Sequence, residues 1–230
     1  TQSERFEETF TPKVLVLRKG CAGEMHISIT PKCTTDQTTA LTLSYVGMTQ
    51  GKEHTVPIKM IVRTETTRLH YEDVVCDKQI GEGSFGVVFK GKFEGNDVAV
   101  KKIKEVGTGE DTLDKFFKEV AMLDKFQCDQ IVHFYGACTI PNHIMMVTEF
   151  APCGSLMDCI KKRPEPSEAI KAKLMLDAAK GLEYLHGNRI LHGDIKPDNV
   201  LVFSLDETLE VNGKLTDFGS SRNINMLMTN

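Results

Sequence analysis

A glycine-rich segment near the middle of the chain is the first whose residue types suggest chemistry. Residues 81–86 read GEGSFG, with the spacing G-x-G-x-x-G, and glycine allows a backbone to approach phosphate closely. A Walker A loop would need Lys and Ser or Thr directly after the last glycine, and a dinucleotide-binding fingerprint would open a helix there. Residues 87–90 read VVFK and continue as a strand, so the glycines are predicted to lie in a β-hairpin. A loop that covers phosphates and an ordinary tight hairpin both fit this segment.

A lysine and a glutamate downstream of the glycines form a candidate pair. Lys101 follows the apolar run at 98–100 on the next predicted strand, and Glu119 stands 18 residues further on, in a predicted amphipathic helix. Each residue alone fits an ordinary solvated charge. Together, a lysine that contacts nucleotide phosphates and a glutamate that orients this lysine form a functional pair.

Two further motifs complete a series of five signatures. Residues 192–199 read HGDIKPDN, and residues 217–219 read DFG. In this order and rough spacing, the signatures resemble those of the protein kinase family over residues 71–230, about 70% of the chain. They are most similar to the tyrosine-kinase-like group of Ser/Thr kinases. The resemblance implies an enzyme that uses ATP and Mg²⁺ to phosphorylate Ser and Thr hydroxyls of protein substrates in signal transduction.

The resemblance also implies a role for each matching residue. The residues that would bind the nucleotide are Ile80, Gly81, Gly83, Gly86, Val88, Ala99, Lys101, Thr148, Glu149, Ala151 and Leu201. Among them, Thr148 is in the gatekeeper position and residues 149–151 form the hinge. The catalytic residues would be Lys101, Glu119, Asp194 and Lys196, and the metal ligands would be Asn199 and Asp217.

The chemistry of these residue types agrees with the implied roles. Asp217 and Asn199 carry oxygen donors of the kind that Mg²⁺ prefers. Asp194 would accept the proton of the substrate hydroxyl, and Lys196 would neutralise charge on the γ-phosphate. We interpret His192 as a packed scaffold residue rather than a catalytic one.

Two features depart from the family pattern. Gly193 stands where many kinases carry an arginine that pairs with a phosphate on the activation loop, which puts switching by that contact in doubt. The chain also ends at Asn230, eleven residues after Gly219. We therefore expect the rest of the activation segment and the later C-lobe helices to belong to a longer kinase.

Residues 1–70 follow a different pattern. Short β-branched or alternating runs lie at residues 14–17, 25–30, 41–46 and 56–62. Turn residues separate them, which predicts an all-β domain. The region resembles immunoglobulin-like sandwiches of the major-sperm-protein type through its strand pattern and the FTP segment at residues 10–12. Four or five strands are few for a closed sandwich, which leaves open that the domain is incomplete.

The predicted fold is of the α+β class. A β-sandwich-like domain over residues 1–70 precedes a bilobal protein kinase domain over 71–230, with the N-lobe and the start of the C-lobe. Strands are predicted at 80–90, 97–103 and 144–149. One helix is predicted at 114–126, with Phe116, Phe117, Val120 and Leu123 on one face. Another is predicted at 167–185, with Ser167 as its N-cap.

Composition limits the classes of function. The 230 residues are 40% hydrophobic and 26% charged, with a net charge of −4, which fits a globular protein and does not indicate a nucleic-acid partner. Seven cysteines without a Cys-x-x-Cys pair argue against a zinc site or a disulfide framework. This favours a cytoplasmic location, including the cytoplasmic part of a membrane-anchored kinase. Two alternatives to an active kinase stay open: an ATP-binding pseudokinase, and an interaction protein whose N-terminal β domain binds a protein partner.

Overall fold

The computed structural model describes residues 4–47, 51–83, 86–103, 110–161 and 165–224. The chain divides into two compact units, residues 1–70 and residues 71–230. None of the helices within the described ranges is long and apolar enough to cross a membrane.

Four strands in the described part of the first unit pair as two antiparallel hairpins. Strand β1 (Phe6–Thr11) pairs with β2 (His26–Pro31), and β3 (Thr35–Val46) pairs with β4 (Glu53–Thr64). The strands predicted at 25–30, 41–46 and 56–62 correspond to β2, β3 and β4. The prediction of a strand at 14–17 is wrong, because the strand that pairs with β2 is β1, which ends before this run. Residues 14–17 therefore lie in the connection between them, where Val14 is 78% exposed.

Cross-strand pairs give the β3–β4 hairpin one apolar face. Leu43 lies opposite Val56, and Tyr45 lies opposite His54 with ring centroids 5.0 Å apart. Successive side chains of a strand point to opposite faces, so the residues between them occupy the other, more polar face. Leu43, Tyr45 and Val56 are all exposed. The resemblance of this unit to an immunoglobulin-like sandwich stays a prediction.

The second unit begins with a five-stranded antiparallel sheet, in which the strand order is β5-β6-β7-β9-β8. The strands are β5 (Val74–Glu82), β6 (Gly86–Phe93), β7 (Asn96–Ile103), β8 (Phe134–Cys138) and β9 (Met145–Glu149), and helix α1 (Glu110–Leu123) follows β7. Glu94 and Gly95 join β6 to β7 with φ angles of 48° and 81°, as a two-residue type I′ turn requires. The turn agrees with a register in which Lys101 lies opposite Val88.

The predicted strands of the second unit agree with this sheet. The strand at 97–103 corresponds to β7 and the strand at 144–149 to β9, while residues 80–90 cover the end of β5 and the start of β6. The glycines thus lie in a β-hairpin, as predicted.

The helical half of the second unit contains α2 (Leu156–Lys161) and α3 (Glu168–Gly187). Four short strands, β10 (Ile190–Leu191), β11 (Val200–Val202), β12 (Gly213–Leu215) and β13 (Arg222–Asn223), pair as β10–β13 and β11–β12. Helix α3 begins after Ser167, whose hydroxyl oxygen accepts a hydrogen bond from the Ile170 N–H at 3.2 Å. The predicted N-cap is therefore confirmed.

The core of the second unit joins α1 and α3 to β11 and β12. Its buried side chains include Leu123, Leu185, Val200, Leu215 and Phe218. Phe116 of α1 is buried in the same cluster, but Phe117 is 41% exposed. The prediction that both lie on the buried face is wrong, because neighbouring residues of a helix point about 100° apart and Phe116 takes the buried position.

The close contacts of Gly181 in α3 generate a stability prediction. A Cβ atom at Gly181 would lie 2.8 Å from Leu215 Cδ1 and 3.0 Å from the Gln130 carbonyl oxygen, whereas one at Gly187 would meet nothing within 4 Å. We expect Gly181→Ala to lower the free energy of unfolding by about 1–3 kcal/mol through overpacking. Gly187→Ala, in the same helix, should leave it unchanged or raise it by up to about 1 kcal/mol. Urea unfolding measures both changes, and equal effects of the two substitutions would contradict the packing argument.

Candidate functional site

A cleft of about 790 Å³ lies between the five-stranded sheet and the helical half of the second unit. Strands β5, β6 and β7 contribute one side, residues 148–155 contribute the rear, and residues 194–201 and 216–220 contribute the other side. Every residue that the sequence predicts to bind nucleotide, to bind metal or to catalyse the reaction lines this cleft. The fold thus brings the candidate residues together, although their individual roles stay predictions.

Glycines shape the side of the cleft formed by β5 and β6. The Gly83 N–H donates to the Gly86 carbonyl oxygen at 2.9 Å, and residues 84 and 85 of the same segment lie outside the described ranges. A Cβ atom on Gly86 would collide with the carbonyl oxygen of Lys102. Glycine therefore allows β6 to pair closely with β7 at this point.

Lys101 and Glu119 form an ion pair inside the cleft. Lys101 Nζ lies 2.7 Å from Glu119 Oε2, and Glu119 is only 5% exposed. Burial raises the pKa of the Glu119 carboxyl, while the Lys101 ammonium and a hydrogen bond from the Phe218 N–H oppose this rise. The pair therefore joins β7, α1 and the loop that carries Asp217.

Asp194 lies at the centre of a hydrogen-bonded group on the opposite side. Lys196 Nζ lies 2.6 Å from Asp194 Oδ2. Asn199 Nδ2 donates to the Asp194 carbonyl oxygen at 2.8 Å and to Oδ2 at 3.1 Å. The hydrogen bond from Lys196 lowers the pKa of the Asp194 carboxyl and raises the pKa of the Lys196 ammonium. Asp194 is thus held as a carboxylate that can accept a proton.

Asp217 has a left-handed backbone, with φ of 62°. The next residue, Phe218, is fully buried, and its ring centroid lies 5.0 Å from those of Phe126 and His192. His192 is itself 2% exposed, and its Nε2 lies 2.9 Å from the Thr216 carbonyl oxygen. His192 is therefore packed, as interpreted from the sequence, and the absence of a catalytic role for it stays a prediction.

Glu149 lies at the rear of the cleft, where contacts of its carboxylate fix its position. Its carboxylate lies 2.7 and 3.0 Å from Lys214 Nζ and accepts a hydrogen bond from the His133 N–H at 2.6 Å. Lys214 also lies over the Phe203 ring, 4.9 Å from its centroid. These contacts connect the last residue of β9 to strand β12.

Sequence reasoning missed some of the polar residues at the site. Lys115 and Asp158 also line the cleft, and Lys214 positions Glu149. Lys115 precedes Glu119 by four residues in α1. Residues four apart lie on the same side of a helix, and this spacing is a signal that could have identified Lys115. Lys214 had no such signal, because its contact with Glu149 spans 65 residues.

A family model of the protein kinase domain matches residues 74–229, about two thirds of the chain. The chain belongs to the protein kinase family. Members of this family transfer a phosphoryl group from ATP. The more specific likeness to the tyrosine-kinase-like group stays a prediction.

Curated relatives support the same assignment. A protein of Acanthamoeba polyphaga mimivirus named as a serine/threonine-protein kinase/receptor is 42% identical over 157 residues, which are 67% of this chain and 9% of that protein. A Dictyostelium discoideum protein named as a serine/threonine-protein kinase is 36% identical over 227 residues, 96% of this chain and 16% of that protein. A serine/threonine-protein kinase of Arabidopsis thaliana is 34% identical over 177 residues, 76% of this chain and 30% of that protein. The chain thus spans under a third of each of these relatives.

The buried imidazole of His192 generates a prediction about pH and stability. Burial lowers the pKa of His192 below its ordinary value of 6.5, so the unfolded chain binds the proton more tightly than the folded chain. The contribution of His192 is therefore complete above pH 6.5 and is lost as the pH falls below that value. We expect the midpoint temperature of unfolding to decrease over the first pH unit below 6.5.

Two variants separate the contribution of His192 from that of other groups. His192→Asn should be less stable at neutral pH but should lose less stability on acidification than the wild type does. His186→Asn changes an exposed residue of α3 and should retain the wild-type pH dependence. Calorimetric scans across this pH range measure the difference, and parallel curves for wild type and His192→Asn would refute it.

Proposed function

We propose that the protein is a serine/threonine protein kinase that transfers the γ-phosphate of ATP to Ser and Thr hydroxyls of protein substrates in signal transduction. The observation that carries this proposal is the convergence in one cleft of the Lys101–Glu119 ion pair with Asp194, Asn199 and Asp217. Phosphoryl transfer mainly needs positioning and charge neutralisation, and this set of side chains offers both. Loss of one of them would have favoured an ATP-binding pseudokinase, and all are present.

The shape and chemistry of the cleft support ATP as the nucleotide. Val88 and Ala99 would contact one face of the adenine and Leu201 the other, while backbone groups of residues 149–151 would hydrogen-bond its edge. The glycine-rich loop at residues 81–86 would cover the phosphates. The cleft volume of about 790 Å³ is in the range of small-molecule sites in proteins.

Asp217 and Asn199 are the proposed Mg²⁺ ligands. Asn199 Nδ2 donates to Asp194, which leaves the amide oxygen of Asn199 as the atom that it can offer to a cation. One carboxylate and one amide oxygen fit Mg²⁺, which typically completes its coordination with phosphate oxygens and water. When bound, the ion would neutralise charge that develops on the phosphates.

Asp194 is the proposed acceptor of the proton from the attacking hydroxyl. The lowered pKa of its carboxyl keeps Asp194 ionised at neutral pH, as a general base requires. In the nucleotide complex, Lys196 would reach the γ-phosphate and release Asp194. The pKa of Asp194 would then rise towards its ordinary value and make the carboxylate a stronger base at the moment of transfer.

The partners and location of the protein are further parts of the proposal. Besides ATP and protein substrates, a protein partner is proposed for the first unit, and the exposed apolar face of its β3–β4 hairpin supports this. No nucleic-acid partner is proposed. The proposed location is cytoplasmic, either free or on the cytoplasmic side of a membrane-anchored kinase, which the receptor name of the mimiviral relative supports.

Replacement of Lys101 tests the proposed nucleotide chemistry. Lys101→Met should reduce the rate of phosphotransfer by roughly 10²–10³-fold, because removal of one charge-stabilising contact typically costs about 2.7–4 kcal/mol. Lys102→Met changes the next residue of β7, whose side chain is exposed and is not among those that line the cleft. It should retain near-wild-type activity. Transfer of labelled γ-phosphate to a protein substrate measures both variants, and an active Lys101→Met enzyme would refute the assignment.

Lys196 leads to a prediction about the acceptor hydroxyl. The side chain lies two residues after Asp194, where Ser/Thr kinases neutralise the γ-phosphate, so phosphoamino-acid analysis of the products should yield phosphoserine or phosphothreonine. Lys173→Ala changes a lysine of α3 that is not among the residues lining the cleft, and it should not change the product ratio. Predominant phosphotyrosine would exclude the Ser/Thr class and indicate a tyrosine kinase.

A further inference from the structure

Ser221, which none of the assigned site roles includes, lies buried beside the catalytic loop. It is 0% exposed, and its Oγ donates to the His192 carbonyl oxygen at 3.0 Å. Its own N–H donates to the Phe218 carbonyl oxygen, also at 3.0 Å. A buried hydroxyl that finds an acceptor contributes to a fixed geometry, since a partner is required for each buried polar group.

A second close approach joins the same two segments, between Gly193, which follows His192, and Ser220, which precedes Ser221. Gly193 has φ of 83°, and a Cβ atom there would lie 2.7 Å from the carbonyl oxygen of Ser220. A non-glycine residue at position 193 would therefore combine an unfavourable left-handed backbone with a clash against backbone atoms. Glycine at this position lets the two backbones approach closely.

These contacts lie close in the chain to Asp217, a non-glycine residue with a left-handed backbone. A left-handed conformation of a non-glycine residue such as Asp217 persists only where neighbouring structure determines it. On the N-terminal side of Asp217, the Thr216 carbonyl oxygen lies 2.9 Å from His192 Nε2. On its C-terminal side, Ser221 donates to the carbonyl oxygen of the same His192. One residue of the catalytic loop thus binds both flanks of the Asp217 loop.

We propose that the Ser221–His192 hydrogen bond and the Gly193–Ser220 contact act together as a latch that positions Asp217 for Mg²⁺–nucleotide. The inference rests on the proposed kinase function and extends it to residues outside the nucleotide and metal contacts. The latch uses neutral backbone and hydroxyl groups, and it needs neither an arginine at position 193 nor a phosphate. Ser221 and Gly193 are positioning residues, since they act through Asp217.

The test compares ATP affinity with and without Mg²⁺ by isothermal titration calorimetry on the full chain. We expect wild-type protein to bind ATP more tightly with Mg²⁺ than in EDTA. Ser221→Ala removes the hydroxyl donor, and Gly193→Ala pushes the Ser220 backbone away. Each should reduce the gain in affinity from Mg²⁺ by about tenfold, the change expected for loss of one well-placed polar contact, and should leave the affinity in EDTA unchanged.

Matched controls separate positioning from folding. Gly95→Ala places a side chain at nearly the same backbone conformation, φ of 81°, but with nothing within 4 Å. Ser204→Ala removes a hydroxyl that accepts a hydrogen bond from the Asp206 N–H, in the connection after β11. Both controls should retain the full Mg²⁺ effect. A purely structural role for the latch would lower the unfolding temperature of Ser221→Ala and Gly193→Ala without changing the Mg²⁺ effect.

The outcomes distinguish this inference from the proposed function. Wild-type protein whose ATP affinity does not respond to Mg²⁺ would overturn the kinase proposal, and the latch with it. Wild-type protein that responds, with an undiminished response in folded Ser221→Ala or Gly193→Ala, would overturn the latch alone. A reduced response in these variants but not in the controls would support it.

Discussion

The buried ion pair between Lys101 and Glu119 is the interaction on which the geometry of the cleft depends. A carboxylate that is 5% exposed is unfavourable without a partner, because removal of one member of a buried pair leaves a charge that neither water nor protein compensates. Glu119 satisfies this requirement with the Lys101 ammonium and the Phe218 N–H. The requirement to neutralise one carboxylate therefore sets the position of the sheet, of α1 and of the Asp217 loop at the same time.

Apolar packing makes this polar arrangement rigid. Phe218 contacts Phe126 on one side and His192 on the other, and the same core cluster includes Phe116 of α1. Helix α1 thus carries Glu119 on one turn and a buried aromatic side chain on the previous one. Since protein interiors are close-packed, a shift of α1 would disturb the core and the ion pair together. The polar site and the apolar core are coupled through a single helix.

The candidate site could be predicted from the sequence more completely than the contacts that support it. Lys101 and Asp194 each belong to a short contiguous motif, at 98–101 and 192–199. Such motifs can be recognised in the sequence without knowledge of long-range contacts. The contact between Lys214 and Glu149 depends on how β12 packs against the end of β9, which no local pattern encodes. The error at Phe117 has a similar origin, because a helix with adjacent aromatic residues does not itself specify which of them faces the core.

In the first unit, the run at 14–17 has strand propensity, but formation of a strand depends on a pairing partner, and β2 already pairs with β1.

The left-handed backbone of Asp217 differs in its structural setting from the other left-handed non-glycine residues. Within the described ranges, the non-glycine residues with left-handed φ are Glu94, Asn142, Arg189 and Asp217. The first three lie in connections between strands or after a helix, where the chain must reverse direction and a left-handed residue is an ordinary solution.

Asp217 instead follows β12 into the cleft, and its neighbours Thr216 and Phe218 are held by His192 and by the core. Backbone strain at this position is thus offset by packing elsewhere, and the result is a carboxylate whose direction is determined before any ligand binds. Preorganisation of this kind reduces the reorganisation needed when charge develops on a bound phosphate, which accounts physically for the placement of a strained residue at the cleft rather than at a turn.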